Sequence, residues 1–474
     1  MLSTDVLFYV GTFSILIAFY SVRSSIAQTA ILSVGSFAMY ATEGLVFFLI
    51  LCASCALTTI CSFIAADPDP KRARNGMLAG VAINLAVLVI FKYKLLLFPK
   101  GIPNDESWLY QFLALGLPIG ISFYTFHGIS LVVDVWHNRA IVNRSDGGYR
   151  SFLRHCLDTS LYLSFFPQLV AGPIIKGKFF FPQIEFKRFL DIPWGAAASD
   201  IIVGLFLKRV VADNLNQFTT PLTDSRVFTA MPQAEIIAMT VGYSAQIFAD
   251  FAGYSLIAIG IAKLFGYQLP VNFNQPYLAQ SITEFWRRWH ISLSAWLREY
   301  LYFSLGGNRR GRYRTYINLL IVMGLGGLWH GADWKFALWG LCHGVLLAVE
   351  RLLGLEERSR GPVAVIRIAF TFSLVTFGWL LFRMNSLNDV GLLISALFGP
   401  DVPLARRQSG MSEVVSIWLL TSIVVLFHIP TDRLRADARL SSLGRMVKPY
   451  FLGVLVAVTL MASGSRYAFI YFQF

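Results

Sequence analysis

Apolar runs separated by short polar stretches recur along the whole chain, at lengths that suit membrane helices better than the core helices of a soluble domain. Leu45–Ala66 is the clearest, 22 residues without a charge, enough to cross about 30 Å of hydrocarbon as a helix. Val6–Tyr20 precedes it with no basic segment ahead and no small-x-small cleavage site behind, so it reads as a retained first span and not as a signal peptide. Further runs fall at Gly76–Phe91, Phe112–Phe126, Leu157–Ala171, Ala196–Leu207, Ile236–Ile261, Ile317–Trp329, Phe336–Val349, Val363–Phe382, Val414–Phe427 and Tyr450–Met461. The pattern predicts an all-α, polytopic transmembrane bundle of about 10–12 spans. Several runs fall short of about 17 residues. That predicts re-entrant or broken helices beside a protein-enclosed cavity, because lipid-facing backbone cannot be left unpaired.

Composition agrees. Of 474 residues, 56% are hydrophobic and 14% charged, too little polar surface for a soluble domain and the opposite of a disordered or collagenous chain. Lipid takes the place of the missing polar surface. The net charge of +13, from 40 Lys plus Arg against 27 Asp plus Glu, is first a topology signal, with Lys71, Arg72 and Arg74 marking a cytoplasmic loop. The polar segments 101–107, 137–150, 176–187, 354–361 and 400–412 are loop-sized, so residues 1–474 read as one integral-membrane domain with its chemistry between about 250 and 345. Cys52 and Cys55 form a C-x-x-C, but inside a span that spacing reads as helix packing. Neither a metal site nor a nucleic-acid partner is expected.

The chemistry begins at Asp250, a carboxylate inside an apolar helix, where a charge costs a few kcal/mol or more and is either functional or tightly paired. Gln268–Tyr277 then breaks the helix with Pro270 and Pro276 and offers Asn272 and Asn274 as amides. In Phe285–Tyr300, helical spacing puts Trp286, Trp289, Leu293, Trp296 and Tyr300 on one stripe and Arg287, His290, Ser294 and Arg298 on another. Seven arginines and one acid, Glu299, lie between Arg287 and Arg314. Arginine forks suit phosphate groups, so the cluster is open to two readings, an anionic donor such as a nucleotide thioester or lipid headgroups. In Gly324–Trp334, His330 ends an uncharged run approached by small residues that let helices come close. His330 serves either as an interhelical hydrogen-bonding group or as a proton-transfer group, the role histidine is best matched to near neutral pH. Asp333 would orient it if the helix continues, and His290 is a second candidate.

These segments resemble the signature of membrane-bound O-acyltransferases, and within it the alginate O-acetyltransferase subgroup. The likeness runs through Phe285–Ser294, Tyr300–Tyr302 with Gly306–Arg309, and Gly327–Ala332, and further through Phe123–His127 with Asp134, Phe166–Gln168 with Ala171–Pro173, Asp250–Tyr254, Asn272, Phe273, Pro276 and Tyr277, Trp339 and Gly340 with His343 and Gly344, and the ending Phe469–Phe474. Tyr124, Thr125, Trp136 and His137 depart from the subgroup's pattern. The resemblance implies that His330 is the family's near-invariant histidine and His290 its second active-site position, with Arg287, Arg288, Trp289, Arg298, Asn272, Asp250, Trp329 and Asp333 binding the donor or supporting the site. It implies no bound cofactor, acetyl-CoA or another acyl thioester as donor, a bilayer location in a bacterial inner membrane, and an extracytoplasmic polysaccharide acceptor reached with a periplasmic esterase-like partner. D-alanyl or peptidoglycan acyl transfer is the alternative within the family, and a glycan or lipid transporter the alternative outside it.

Overall fold

The computed structural model describes residues 6–94, 115–142, 148–169, 172–400, 411–429, 438–465 and 467. Ala171, the ending 469–474, and the polar segments 101–107 and 401–410 lie outside the described residues. Among those described, the regular structure is entirely helical. The helices used below are α1 (Val6–Ser21), α2 (Ser25–Ala41), α3 (Leu45–Ala65), α4 (Pro70–Lys92), α5 (Ile121–His137), α6 (Gly148–Ser164), α7 (Trp194–Phe206), α8 (Asp213–Thr219), α9 (Gln233–Leu264), α10 (Ile282–Arg288), α11 (Ile291–Trp296), α12 (Arg312–His330), α13 (Trp334–Leu352), α14 (Gly361–Arg383), α15 (Leu387–Phe398), α16 (Met411–Phe427) and α17 (Ala438–Ala462). Four of the described helices, α3, α4, α9 and α14, are long and apolar enough to cross a membrane, and the chain is a multi-pass membrane protein. Shorter apolar helices, α1 and α2 among them, accompany these four. The large apolar side chains left exposed, such as Leu45, Leu49, Val365, Ile366 and Phe370, are those a lipid environment accepts.

The helices pack into two compact units. In the unit of residues 1–201 and 257–270, several polar side chains are buried and hydrogen-bonded between or within helices. Asn84 Nδ2 donates to Thr58 Oγ1 (3.2 Å) and to the Gly80 carbonyl (2.9 Å), and Ser62 Oγ lies 2.7 Å from His155 Nε2. Helix α2 was not among the expected spans, because Gln28, Thr29, Ser33 and Ser36 interrupt its apolar run. All four are buried. Gln28 bridges to another segment, donating to the Lys187 carbonyl and accepting from the Lys187 N–H at 2.8 Å each. Helix α5 likewise runs on past the expected end at Phe126, because His127, Ser130 and Asp134 are buried on its inner side.

The second unit, residues 202–256 and 271–474, holds the antiparallel pair α12 and α13. Their seam is a pair of glycines. A Cβ on Gly327 would stand 2.1 Å from the Phe336 carbonyl oxygen, and one on Gly340 the same distance from that of Met323. Small residues admit this backbone approach where no water drives helices together. We predict that Gly327→Ala and Gly340→Ala each destabilise the protein by more than the usual overpacking cost of about 1–3 kcal/mol, since the neighbour is backbone and cannot swing away. Gly324→Ala, whose Cβ would meet only the flexible Leu341 side chain at 3.3 Å, is expected to keep its thermal midpoint within a few degrees in detergent. Equal behaviour of all three would refute the seam.

Candidate active site

The segment from Trp286 to Tyr300 is not one helix. Helix α10 stops at Arg288, Trp289 is extended, and His290 takes the left-handed region at φ +43°, ψ +53° before α11 begins. The two stripes expected from a continuous helix are therefore corrected, because the break rotates everything after His290. A non-glycine residue there costs on the order of 1–3 kcal/mol and persists only where the surroundings impose it. Here they do. The Asn272 carbonyl accepts from Ile291 N–H (3.0 Å), and the Asn274 N–H donates to the Arg288 carbonyl (3.0 Å). The Asn272 side chain accepts from Ser292 Oγ at 2.6 Å and donates to Ser255 Oγ at 3.0 Å. Asn272 thus clamps the break that aims His290, and Phe251 of α9 packs edge-on against the His290 ring at 4.6 Å.

Helix α10 is anchored from α13, where the Glu350 carboxylate accepts the Ile282 and Thr283 N–H groups at 2.7 and 2.8 Å, the position a helix N-terminus favours for an anion. Arg288 does not line the cavity described below. It pairs with Glu284 at 2.9 Å and donates to the Asn274 and Gln275 carbonyls at 3.2 Å. Burial alone would raise the Glu284 carboxyl, but the hydrogen bonds from Arg358 and Gln280 and the charges of Arg288 and Arg358 hold it below the usual range.

Helix α12 ends at His330, and Gly331 turns the chain into extended backbone. Asp333 therefore does not continue that helix as the orienting role required. It caps α13 instead, its Oδ1 accepting from Lys335 N–H at 2.9 Å. His330 is held among rings: Trp329 at 4.9 Å, Trp339 at 5.2 Å and Phe382 at 5.2 Å between centroids. Trp329 also reaches the His290 ring at 6.0 Å, so one indole touches both histidines. Trp289 is buried against Phe273, Phe285 and Trp379.

A cavity of about 360 Å³ lies against α12 from Leu319 to His330 and against α13 from Trp339 to Arg351. At 1.5 Å per residue these stretches correspond to about 16 and 18 Å. Because the helices run antiparallel, His330 and Trp339 share one end and Arg351 lies toward the other. Arg287, Arg298, Trp286, Ser294 and Asn308 are among its polar lining. Of the proposed donor arginines, Arg287 and Arg298 reach the cavity. Arg351 was missed because it lies far along the chain from the Arg287–Arg314 cluster and joins it only through the α12–α13 pairing.

Asp250 is a buried ion-pair partner. Lys208 Nζ sits 2.7 Å from it and 2.9 Å from Asp213, which also pairs with Arg209. Lys208 and Arg209 lie in a π-helical turn, Leu207–Ala212, of the kind often found at functional sites. Lys208, at the end of the apolar run Ala196–Leu207, carries the same sequence signal as Asp250, a charge beside membrane-like helix.

These features are an all-helical membrane fold with a buried histidine at the end of a basic elongated cavity, and the comparisons with known proteins give the chain its class. The profile of the membrane-bound O-acyltransferase family matches residues 129–355, and the chain belongs to that family; it is an O-acyltransferase, which displaces the transporter alternative. It is 35% identical to the protein of Pseudomonas putida named probable alginate O-acetylase AlgI, over 86% of each chain. It is 34% identical to a peptidoglycan O-acetyltransferase of Helicobacter pylori, over 72% of this chain and 68% of that one. With a teichoic acid D-alanyltransferase of Bacillus subtilis it shares 26% identity, over 66% of this chain and 79% of that one.

Two outcomes are expected. Asn272→Ala removes the clamp on His290 and should cut acyl transfer at least tenfold, while the lost hydrogen bonds cost about 1–3 kcal/mol of stability; unchanged turnover would show that the clamp does not position His290. Lys208→Met removes the ammonium shared by two buried carboxylates and should destabilise by about 3–5 kcal/mol. Adding Asp250→Asn should recover part of that loss in thermal unfolding, and no recovery would argue against the pairing.

Proposed function

We propose that this protein transfers an acetyl group from acetyl-CoA on the cytoplasmic side of a bacterial inner membrane to hydroxyls of an extracytoplasmic polysaccharide. The carrying observation is that one cavity has His330 and Trp339 at one end and three arginines, Arg287, Arg298 and Arg351, in its lining. An elongated donor with phosphates and a terminal thioester suits that distribution, because arginine forks hold phosphate while the thioester extends toward the imidazole. The alginate O-acetylase name of the Pseudomonas relative favours a polysaccharide acceptor. The Helicobacter relative favours peptidoglycan as the second reading.

In the reaction, His330 takes the proton of the acceptor hydroxyl as its oxygen attacks the thioester carbonyl. The C–O bond forms, the C–S bond breaks, and the proton passes to the departing sulfur. His290 or a nearby backbone N–H stabilises the oxyanion, worth about 3–4 kcal/mol per preorganised donor.

The test is free-thiol release from acetyl-CoA by protein in liposomes, with alginate, cellulose or peptidoglycan fragments as acceptor. His330→Ala should lower turnover about 10²–10⁴-fold, the range for loss of a general base. Arg298→Met and Arg351→Met should mainly raise the KM for acetyl-CoA. Full turnover by His330→Ala would overturn the assignment, and preference for peptidoglycan fragments would select the second acceptor.

A further inference from the structure

The cavity closes behind His330 on rings, and the closure has a chemical consequence. Trp339 lines the cavity and packs edge-on against Phe382 at 4.8 Å. Phe382 reaches His330 at 5.2 Å yet is absent from the cavity lining, so it stands as the layer behind the histidine and Trp339. Behind it in turn are Phe336 at 4.9 Å and Trp379 at 5.8 Å. Phe382, Trp339 and Trp379 are each 1% exposed.

This wall is rigid. Phe336 is seated against Gly331, where any Cβ would meet its ring at 2.1 Å, so its ring packs on the turn after His330 as well as on Phe382. Rings locked edge to face have few alternative rotamers, unlike the Leu319, Val322 and Met323 side chains that line the cavity elsewhere. An acyl carbon placed beside His330 for attack therefore has its tail directed at a surface that does not yield.

We propose that Phe382, with Trp339, sets the acyl-chain length of this enzyme, admitting a two-carbon group and excluding longer chains. The inference rests on the thioester-donor reading above and deepens it. Phe382 and Trp379 lie outside residues 129–355, the segment that matches the family profile, so α14, a helix beyond that segment, supplies part of the wall and α13 the rest. Phe382→Ala would remove six ring carbons from behind His330 and open room for several methylenes.

The experiment follows thiol release from acetyl-, propionyl-, butyryl- and hexanoyl-CoA, with the same acceptor, for the native protein, Phe382→Ala, Phe382→Leu and Phe370→Ala. Phe370 is on the same helix but 65% exposed, and its variant should keep the native profile. A methylene misfit in a closed pocket is worth about 10–200-fold. The native enzyme should thus prefer acetyl- over hexanoyl-CoA by at least 100-fold in kcat/KM, and Phe382→Ala should shrink that ratio tenfold or more by raising hexanoyl turnover. If Phe382→Ala does not fold, Phe382→Leu carries the comparison, with a smaller shift in the same direction. Native turnover of acetyl-CoA with an unchanged ratio in the folded variant, or an equal loss for all donors, overturns the inference alone. Absence of His330-dependent turnover of any acyl-CoA by the native protein instead overturns the donor reading on which it rests.

Discussion

At Gly327 and Gly340 the backbones of α12 and α13 come so near that a methyl group on either would stand 2.1 Å from the opposing carbonyl oxygen. Lipid offers helices no hydrophobic reason to associate, so close packing supplies the attraction, and it is gained only where side chains are missing. The site follows from this approach. It sets His330, at the end of α12, beside Trp339, near the start of α13, and sets Arg351 toward the opposite end of the same cavity. A looser pairing would separate the imidazole from Trp339 and take Arg351 out of the cavity that His330 lines.

Two devices of different physical kind complete the arrangement. One is neutral: Asn272 uses its carbonyl and its side-chain amide to hold a left-handed residue between two short helices. The other is ionic: Lys208 lies between two carboxylates in the interior. A buried ion pair is weak evidence for stability, since its desolvation offsets much of its attraction. Its components cannot be removed singly without leaving a charge uncompensated, and Asp250 is followed directly by Phe251, which packs on His290. The cluster therefore bears on where that ring can stand.

Aromatic residues do the remaining work. Trp329 touches both histidines, and Trp339 and Phe382 close the space behind His330. Such rings exclude water and hold fixed edges at little conformational cost. A transfer reaction competing with hydrolysis gains from both, because a dry and immobile surrounding strengthens the electrostatic contribution of each donor.

The apolar runs determined by themselves that the chain is a helical membrane protein, since hydrocarbon permits little else that spans it, and α3, α9 and α12–α14 lie close to where those runs place them. The residue types also marked His290, His330 and the arginines around them. Helix α2 escaped because its inward polar residues take partners such as Lys187, far off in the chain, and so do not read as part of an apolar run. The break at His290 is imposed by Asn272, the neutralisation of Asp250 by Lys208, the place of Asp333 by the turn at Gly331, and the membership of Arg351 and Phe382 by helix pairing. Each depends on which distant groups meet, and local periodicity carries no record of that, so only the tertiary structure decided which marked residues face the cavity and which hold it in shape.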